Sequence, residues 1–171
     1  GIPYWAISIA RFVDGEPAEA FLDIPSLRQR IVAIRGQGAW RNQKRLTPES
    51  RVVAGSSCIS LCSRSIRVLQ KRPDQSFPGK IRLLGVASLN LVSVAMGQTA
   101  GALEATPNTC TLAAALLLPI DLGCPLICLG PHPAHLEPGC DLSEMGFPVV
   151  AAGSQKQLER LAPWGESLLN G

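Results

Sequence analysis

The stretch KIRLLGVASLNLVSVAMGQTAGALE, Lys80 to Glu104, decides how the chain is read. Lys80 to Leu84 is short, apolar and bounded by turn residues, so it predicts a strand that Gly85 ends. Val86 to Met96 changes to helical spacing, with Gly97 as its C-terminal stop. Gly101 to Glu104 is a second short strand. A strand, a tight glycine turn, a helix and a further strand make one unit of a sheet covered by helices.

Working outward, the same alternation continues. Thr111 to Leu122 predicts a helix rich in Ala and Leu, stopped by Gly123, with Thr111 as a fair N-cap. Pro125 to Leu129 and Val149 to Ala152 predict strands, separated by a loop rich in Pro and Gly from Gly130 to Pro148. Ser154 caps a last helix, Gln155 to Leu161. Upstream, Arg51 to Ala54 reads as a short strand, and Ser56 to Leu69 is ambiguous, with helix favoured toward its end. The first 46 residues follow a period of two instead. Tyr4 to Phe12, Ala18 to Leu22 and Arg30 to Ile34 predict strands. Asp14-Gly15 is a hairpin signal, Ile24-Pro25-Ser26 a second turn, and Asn42 to Leu46 a further tight turn. Gly36 to Trp40 ends the third strand. The expected organisation is an antiparallel meander in residues 1–50 and an α/β domain in 51–171.

Composition agrees with a packed core. Of 171 residues, 46% are apolar and 17% charged, with a formal net charge of +3, which argues against disorder. Fourteen Pro and 16 Gly argue against a coiled coil. The longest apolar run, Leu112 to Ile120, is too short to span a membrane and fits a buried helix. The basic residues are scattered, apart from Arg41, Lys44 and Arg45 and the Arg64–Arg72 stretch, so no nucleic-acid footprint is expected. No charged n-region precedes an apolar h-region, so no signal peptide is visible and a cytoplasmic location is expected. A chain that opens with Gly1 directly into a strand reads as a fragment or a processed product.

The six cysteines are Cys58, Cys62, Cys110, Cys124, Cys128 and Cys140. Cys58-x3-Cys62 and Cys124-x3-Cys128 resemble paired metal ligands, but residues four apart on a strand stand roughly 13 Å apart, too far for one zinc ion. Buried reduced thiols are the expectation. His132 and His135 fall in a Pro-rich loop and read as solvated. Gly36-x-Gly38 reads as a hairpin corner in preference to a phosphate loop. The helix start at Val86, Ala87 and Ser88 offers N–H groups to an anion, or is a plain connection. Glu104 ends an apolar strand, where a carboxylate either faces a site or sits at a solvated edge.

Three ordered pieces carry a family resemblance. Ile81 to Asn90, Val94 to Gly97, Gly101 to Glu104 and Leu112 to Ala115 together resemble the C-terminal signature of the inositol monophosphatase family. Gly1-Ile-Pro-Tyr-Trp-Ala-Ile-Ser-Ile-Ala10 is similar to the strand that follows that family's Asp-Pro-x-Asp-Gly-Thr metal motif. Arg35-Gly36-Gln37-Gly38-Ala39-Trp40-x-Asn42 is similar to its Gly-x-Gly-Ala hairpin. The resemblance implies a layered α/β/α/β/α sandwich and Mg²⁺-dependent hydrolysis of a phosphate monoester, typically a myo-inositol phosphate, by a homodimer. It implies that Glu104 meets substrate hydroxyls, that Ala87 lies near the inositol ring, and that Gly85 and Val86 shape that turn. The family's Trp-Asp pair, whose Asp binds metal, reads Cys110-Thr111 here, and neutral Thr111 is a poor Mg²⁺ ligand. Its Gly-Asp-x-x-x-Glu and Asp-Pro-x-Asp-Gly-Thr segments do not occur in the chain. Asp14, Asp23, Asp121 and Asp141 do not replace them. Two other readings stand beside the enzyme: a non-catalytic binding module that keeps the fold, and a metal-thiol module built on the cysteine pairs.

Overall fold

A computed structural model describes residues 3–48, 58–105, 109–129 and 146–169, with the side chains of 109–113 outside the description. The expected meander is present as a five-stranded antiparallel sheet: β1 (Ile7–Val13), β2 (Glu16–Ile24), β3 (Gln29–Ile34), β4 (Gly38–Arg41) and β5 (Lys44–Leu46), in that order across the sheet. Asp14 and Gly15 have φ of 51° and 78°, the left-handed pair that a two-residue hairpin between twisted strands needs.

Two readings of this region require correction. Gly36 to Trp40 does not simply end the third strand, and Asn42 to Leu46 is more than a turn. Gly38–Arg41 and Lys44–Leu46 are strands of a further hairpin, with Asn42 (φ 48°) and Gln43 (φ 69°) at its tip. Asn42 tolerates that backbone and also braces it. Its Oδ1 accepts from the Arg30 backbone N–H at 2.8 Å, and its Nδ2 donates to the Arg28 carbonyl at 3.0 Å. Strands of three or four residues with charges at Arg41, Lys44 and Arg45 carry little apolar alternation, which is why pattern alone reads them as turn. The first strand also begins at Ile7, later than Tyr4.

The second sheet contains β6 (Cys58–Leu61), β7 (Lys80–Leu83), β8 (Gly101–Glu104), β9 (Leu126–Cys128) and β10 (Val149–Ala152). Their order is β7-β6-β8-β10-β9, with β7, β6 and β8 mutually parallel and β10 antiparallel to both neighbours. The ambiguous segment after Ser56 divides into β6, a 3₁₀ turn (Ser63–Ile66) and the short helix α1 (Arg67–Lys71). The reading of Arg51 to Ala54 as a strand, and His132, His135, Cys140 and Asp141, lie outside the described residues.

Helices α2 (Ala87–Ala95) and α3 (Thr109–Asp121) fill the space between the sheets. One continuous core joins Leu22, Ile24 and Ile31 of the meander, Leu91 and Val94 of α2, Leu117 and Leu118 of α3, and Ala102 and Val149 of the second sheet. On the far side of that sheet, Ile59, Leu61, Leu103 and Val150 pack against Leu158, Leu161 and Trp164 of α4 (Gln155–Glu166). The last helix therefore runs beyond Leu161, through Pro163. Burial of Trp164 and the close seat of Gly165 against Val150 and Leu129 hold a turn that sequence alone would end. Ser154 caps it as expected, accepting from the Gln157 N–H.

The layers are thus sheet, helices, sheet, helix, a mixed architecture of the expected sandwich class. The outer face of the meander carries a row of apolar residues, Ile9, Phe21, Val32 and Trp40, on four successive strands in register. Ile7 and Ile9 are 46% and 58% exposed, and a cleft of about 650 Å³ runs beside Val32 and Trp40. Arg30 stacks over Phe21 and Arg45 over Trp40, covering part of the row with cations.

Two outcomes follow. Replacing Asn42 by Ala removes two side-chain hydrogen bonds to the backbone and leaves a β-carbon in the left-handed region without the polar side chain that offsets it, and should lower stability by about 1–2 kcal/mol in urea unfolding. Asn42→Gly should lose less, because the backbone strain is relieved; equal losses would contradict the account. The exposed end of this apolar face, at Ile7 and Ile9, should make the 171-residue chain self-associate in light scattering, and Ile9→Lys should reduce this; a monodisperse monomer at all concentrations would contradict it.

Candidate active site

The parallel strands β7, β6 and β8 end on one edge of the sheet, where α/β proteins place their ligand sites. Leu61 pairs with Leu83 on one side and Leu103 on the other, so the next residues outward are Cys62 and Glu104. The chain leaves β7 through Gly85, whose φ of 81° admits glycine without steric cost. Val86 then serves as N-cap of α2 in extended conformation, without a side-chain cap and with no acidic residue in the first turn. The first amides of α2, beginning at Ala87, are therefore the unpaired donors of a helix N-terminus, at the positive end of its dipole. Gly85 is exposed, and Val86 and Ala87 are half-buried. The three residues expected to form one turn do so, and their geometry suits an anion or a polar ligand.

Glu104 lies one strand away from that turn's strand neighbour and is not a solvated edge. It is 1% exposed. Strand alternation explains the burial: Ala102, two residues earlier, belongs to the core between the sheets, so Glu104 points the same way, toward α2. There Asn90, one turn inside the helix from Ala87, donates from Nδ2 to Glu104 Oε1 at 2.5 Å. Burial pushes the Glu104 carboxyl up from 4.5 to about 7, while hydrogen bonds from Asn90 and from the Cys62 thiol pull it partly back.

The surrounding polar groups form a connected set. Cys62 Sγ lies 2.9 Å from Ser65 Oγ, which donates to the Leu103 carbonyl at 2.8 Å. Ser93 Oγ lies 2.7 Å from Thr99 Oγ1 and 3.5 Å from Ser60 Oγ. Sequence reading singled out Glu104, and Cys62 only as half of a candidate metal pair, but missed Asn90, Ser65 and Ser93. The available signal was polar residues inside an otherwise apolar helix, Ser88, Asn90 and Ser93, which must find partners when buried. Cys62 became recognisable only through the parallel register of β6 and β8.

The described residues do not fit a Mg²⁺ site. Hard Mg²⁺ needs several oxygen ligands. Among the described residues, no three of His, Cys, Asp and Glu gather as a metal site. Among the described residues the mouth offers one carboxyl, Glu104, already engaged by Asn90. Thr111 does not cap α3 as expected: the helix is under way at Thr109, so Thr111 stands inside its first turn. The described cysteines, Cys58, Cys62, Cys124 and Cys128, are thiols, and of these only Cys124 is fully buried. Asp121, at the far end of α3, accepts from the Gly36 backbone N–H and lies against the meander, away from this mouth.

With this geometry in place, comparison with known proteins is specific. The model of the inositol monophosphatase family matches residues 1–160. An inositol-1-monophosphatase of Rhizobium meliloti is 31% identical over 125 residues, 69% of this chain and 47% of the relative. A fructose-1,6-bisphosphatase/inositol-1-monophosphatase of Thermotoga maritima is 27% identical over 129 residues, covering 72% and 48%. The chain therefore spans about half the length of the curated relatives it matches. A Pyrococcus horikoshii protein described as similar to inositol-1 monophosphatase superposes with a TM-score of 0.74 at 21% identity, over 98% of this chain and 63% of its own. An IMPase/NADP phosphatase crystallised with Mg²⁺ and phosphate gives 0.67 at 22% identity, over 91% and 58%. The match along nearly the whole chain, on the expected fold, makes this chain a member of the inositol monophosphatase family.

Proposed function

We propose that the protein is a Mg²⁺-dependent phosphatase acting on the phosphate monoester of a polyol, with a myo-inositol phosphate as the representative substrate. The residues described here would form its scaffold and its substrate-facing wall. The observation that carries this reading is the convergence of the Gly85–Ala87 turn and Glu104 at the carboxyl ends of three parallel strands. The turn would offer backbone donors to an oxygen-rich ligand, and Glu104, bound to Asn90 one helical turn further on, would form the polar floor. Family membership supports phosphatase chemistry, and the Mg²⁺ and phosphate held by one structural neighbour support the metal and the substrate class. A homodimer and a cytoplasmic location belong to the same proposal.

In the chemistry proposed, metal ions would supply charge stabilisation for the phosphoryl oxygens and an activated water. The residues on this chain would bind and orient the polyol. Gly85 lets the backbone approach closely, Val86 fixes the entry of α2, and the Ala87 amide offers a hydrogen bond. Thr111 would hold no metal.

A second reading is favoured by the donor set itself: a binding module that keeps the fold without turnover. With one engaged carboxyl at the mouth among the described residues, the 171-residue chain should not bind Mg²⁺ and should show little or no hydrolysis of inositol 1-phosphate. Millimolar Mg²⁺ should leave its melting temperature unchanged, since a ligand stabilises only what it binds. A Mg²⁺-dependent rise in melting temperature, or turnover that Glu104→Gln abolishes, would show that these residues assemble a metal site after all.

A further inference from the structure

We infer that Asn90 is the positioning residue of Glu104, and that the two side chains form a cyclic acid–amide pair in which Glu104 is a neutral carboxylic acid. Three observations lead there. Asn90 is 0% exposed and Glu104 1%, so both groups are desolvated. Asn90 Nδ2 donates to one carboxyl oxygen, Oε1. Asn90 Oδ1, on the same amide, is buried without a hydrogen-bond partner.

A carboxylate leaves two problems here. An ionised buried carboxyl needs a cation, and the ion pairs of the described residues join Arg11 to Glu19, Arg30 to Asp23 and Arg35 to Glu16, all on the meander. The orphaned Asn90 oxygen needs a donor, and a carboxylate has none. One proton on Glu104 answers both. It removes the buried charge and supplies an O–H for Asn90 Oδ1, while Nδ2–H continues to hold Oε1. Two planar groups then close a ring of one N–H···O and one O–H···O bond, which fixes the carboxyl's rotation.

The groups around the pair agree. Helix α2 carries no titratable side chain, nor does β10, whose Val149 pairs with Glu104. In the 3₁₀ turn after β6, Arg64 is exposed, and Cys62 presents a thiol to the carboxyl. Helix α3 carries Cys110 and, at its far end, Asp121. The direction of the Glu104 shift, up to about 7 by burial, is the one this pairing requires. Under the phosphatase reading, on which this consequence rests, the polyol meets an uncharged floor, and no buried negative charge opposes the anionic substrate.

The test uses the 171-residue chain and no substrate, so failure of the phosphatase reading leaves it intact. Carboxyl-labelled Glu followed by NMR, with Glu104→Gln assigning the signal, should show Glu104 titrating near pH 7. Because its folded pKa lies above its unfolded value, stability from this group is fully present below about 4.5 and is lost as pH rises through about 7. The denaturation midpoint should therefore fall over that range, and Glu104→Gln should remove that fall. Asn90→Asp puts two carboxyls in contact and should lower the midpoint at pH 7. The swap Asn90→Asp/Glu104→Gln rebuilds the pair with roles exchanged and should recover it, even from an Asn90→Asp chain that does not fold. Glu104 titrating in the ordinary carboxyl range, or a swap no more stable than Asn90→Asp alone, would overturn the inference.

Discussion

Two largely apolar helices must be buried over most of their surface, and the rest of this structure follows from how that is done. Eight of the nine residues of α2 are buried, and α3 buries Ala114 through Leu118. A helix apolar all round cannot lie on a protein surface; it belongs inside. The meander covers one side through Ala20, Leu22, Ile31 and Ala33, and the second sheet covers the other through Ala102, Val149 and Ala151. Neither sheet alone could bury both faces of these helices. The sandwich is therefore one interdependent core, in which loss of either sheet would expose the same helices.

The placement of the site is a by-product of that arrangement. With α2 held along its whole length, its N-terminus is fixed at the carboxyl edge of the parallel strands. Gly85 needs only to turn the chain, and it does so with a backbone that L side chains rarely adopt. Burial of α2 also explains the polar network beside it. Asn90 and Ser93 sit inside the core, so each needs a partner there: Asn90 finds Glu104, and Ser93 finds Thr99 and Ser60. Those bonds set the rotation of α2 about its axis more sharply than leucine and valine could, since apolar packing tolerates small rotations that a hydrogen bond does not.

Much of this was legible from residues. The change from a period of two to helical spacing near residue 50 separates the meander from the helix-covered sheet. Gly85 ends the strand and turns the chain as expected, and the Gly97 and Gly123 stops follow α2 and α3, with φ of 81°, 71° and 66°. Sequence reading failed where tertiary contacts outweigh local signals. Lys44–Leu46 is a strand because Leu46 pairs with Ala39 and buries, although its neighbours are charged. Helix α4 continues past Pro163 because Trp164 and Leu168 pack on the second sheet. Glu104 was recognised as a site candidate, but its burial against Asn90 depends on two separated segments meeting, and no spacing within one segment encodes that. The three-dimensional relation of Cys62 to Glu104 is likewise a matter of parallel register.

The central claim, that α2 and α3 form a shared core held by both sheets, is tested most directly by native-state hydrogen exchange read amide by amide. If both sheets clamp these helices, the interior amides of α2 and α3 should exchange only through global unfolding, with the same free energy as the protected strands of both sheets. Exchange of α2 and α3 through a partial opening that leaves the second sheet protected would contradict the account.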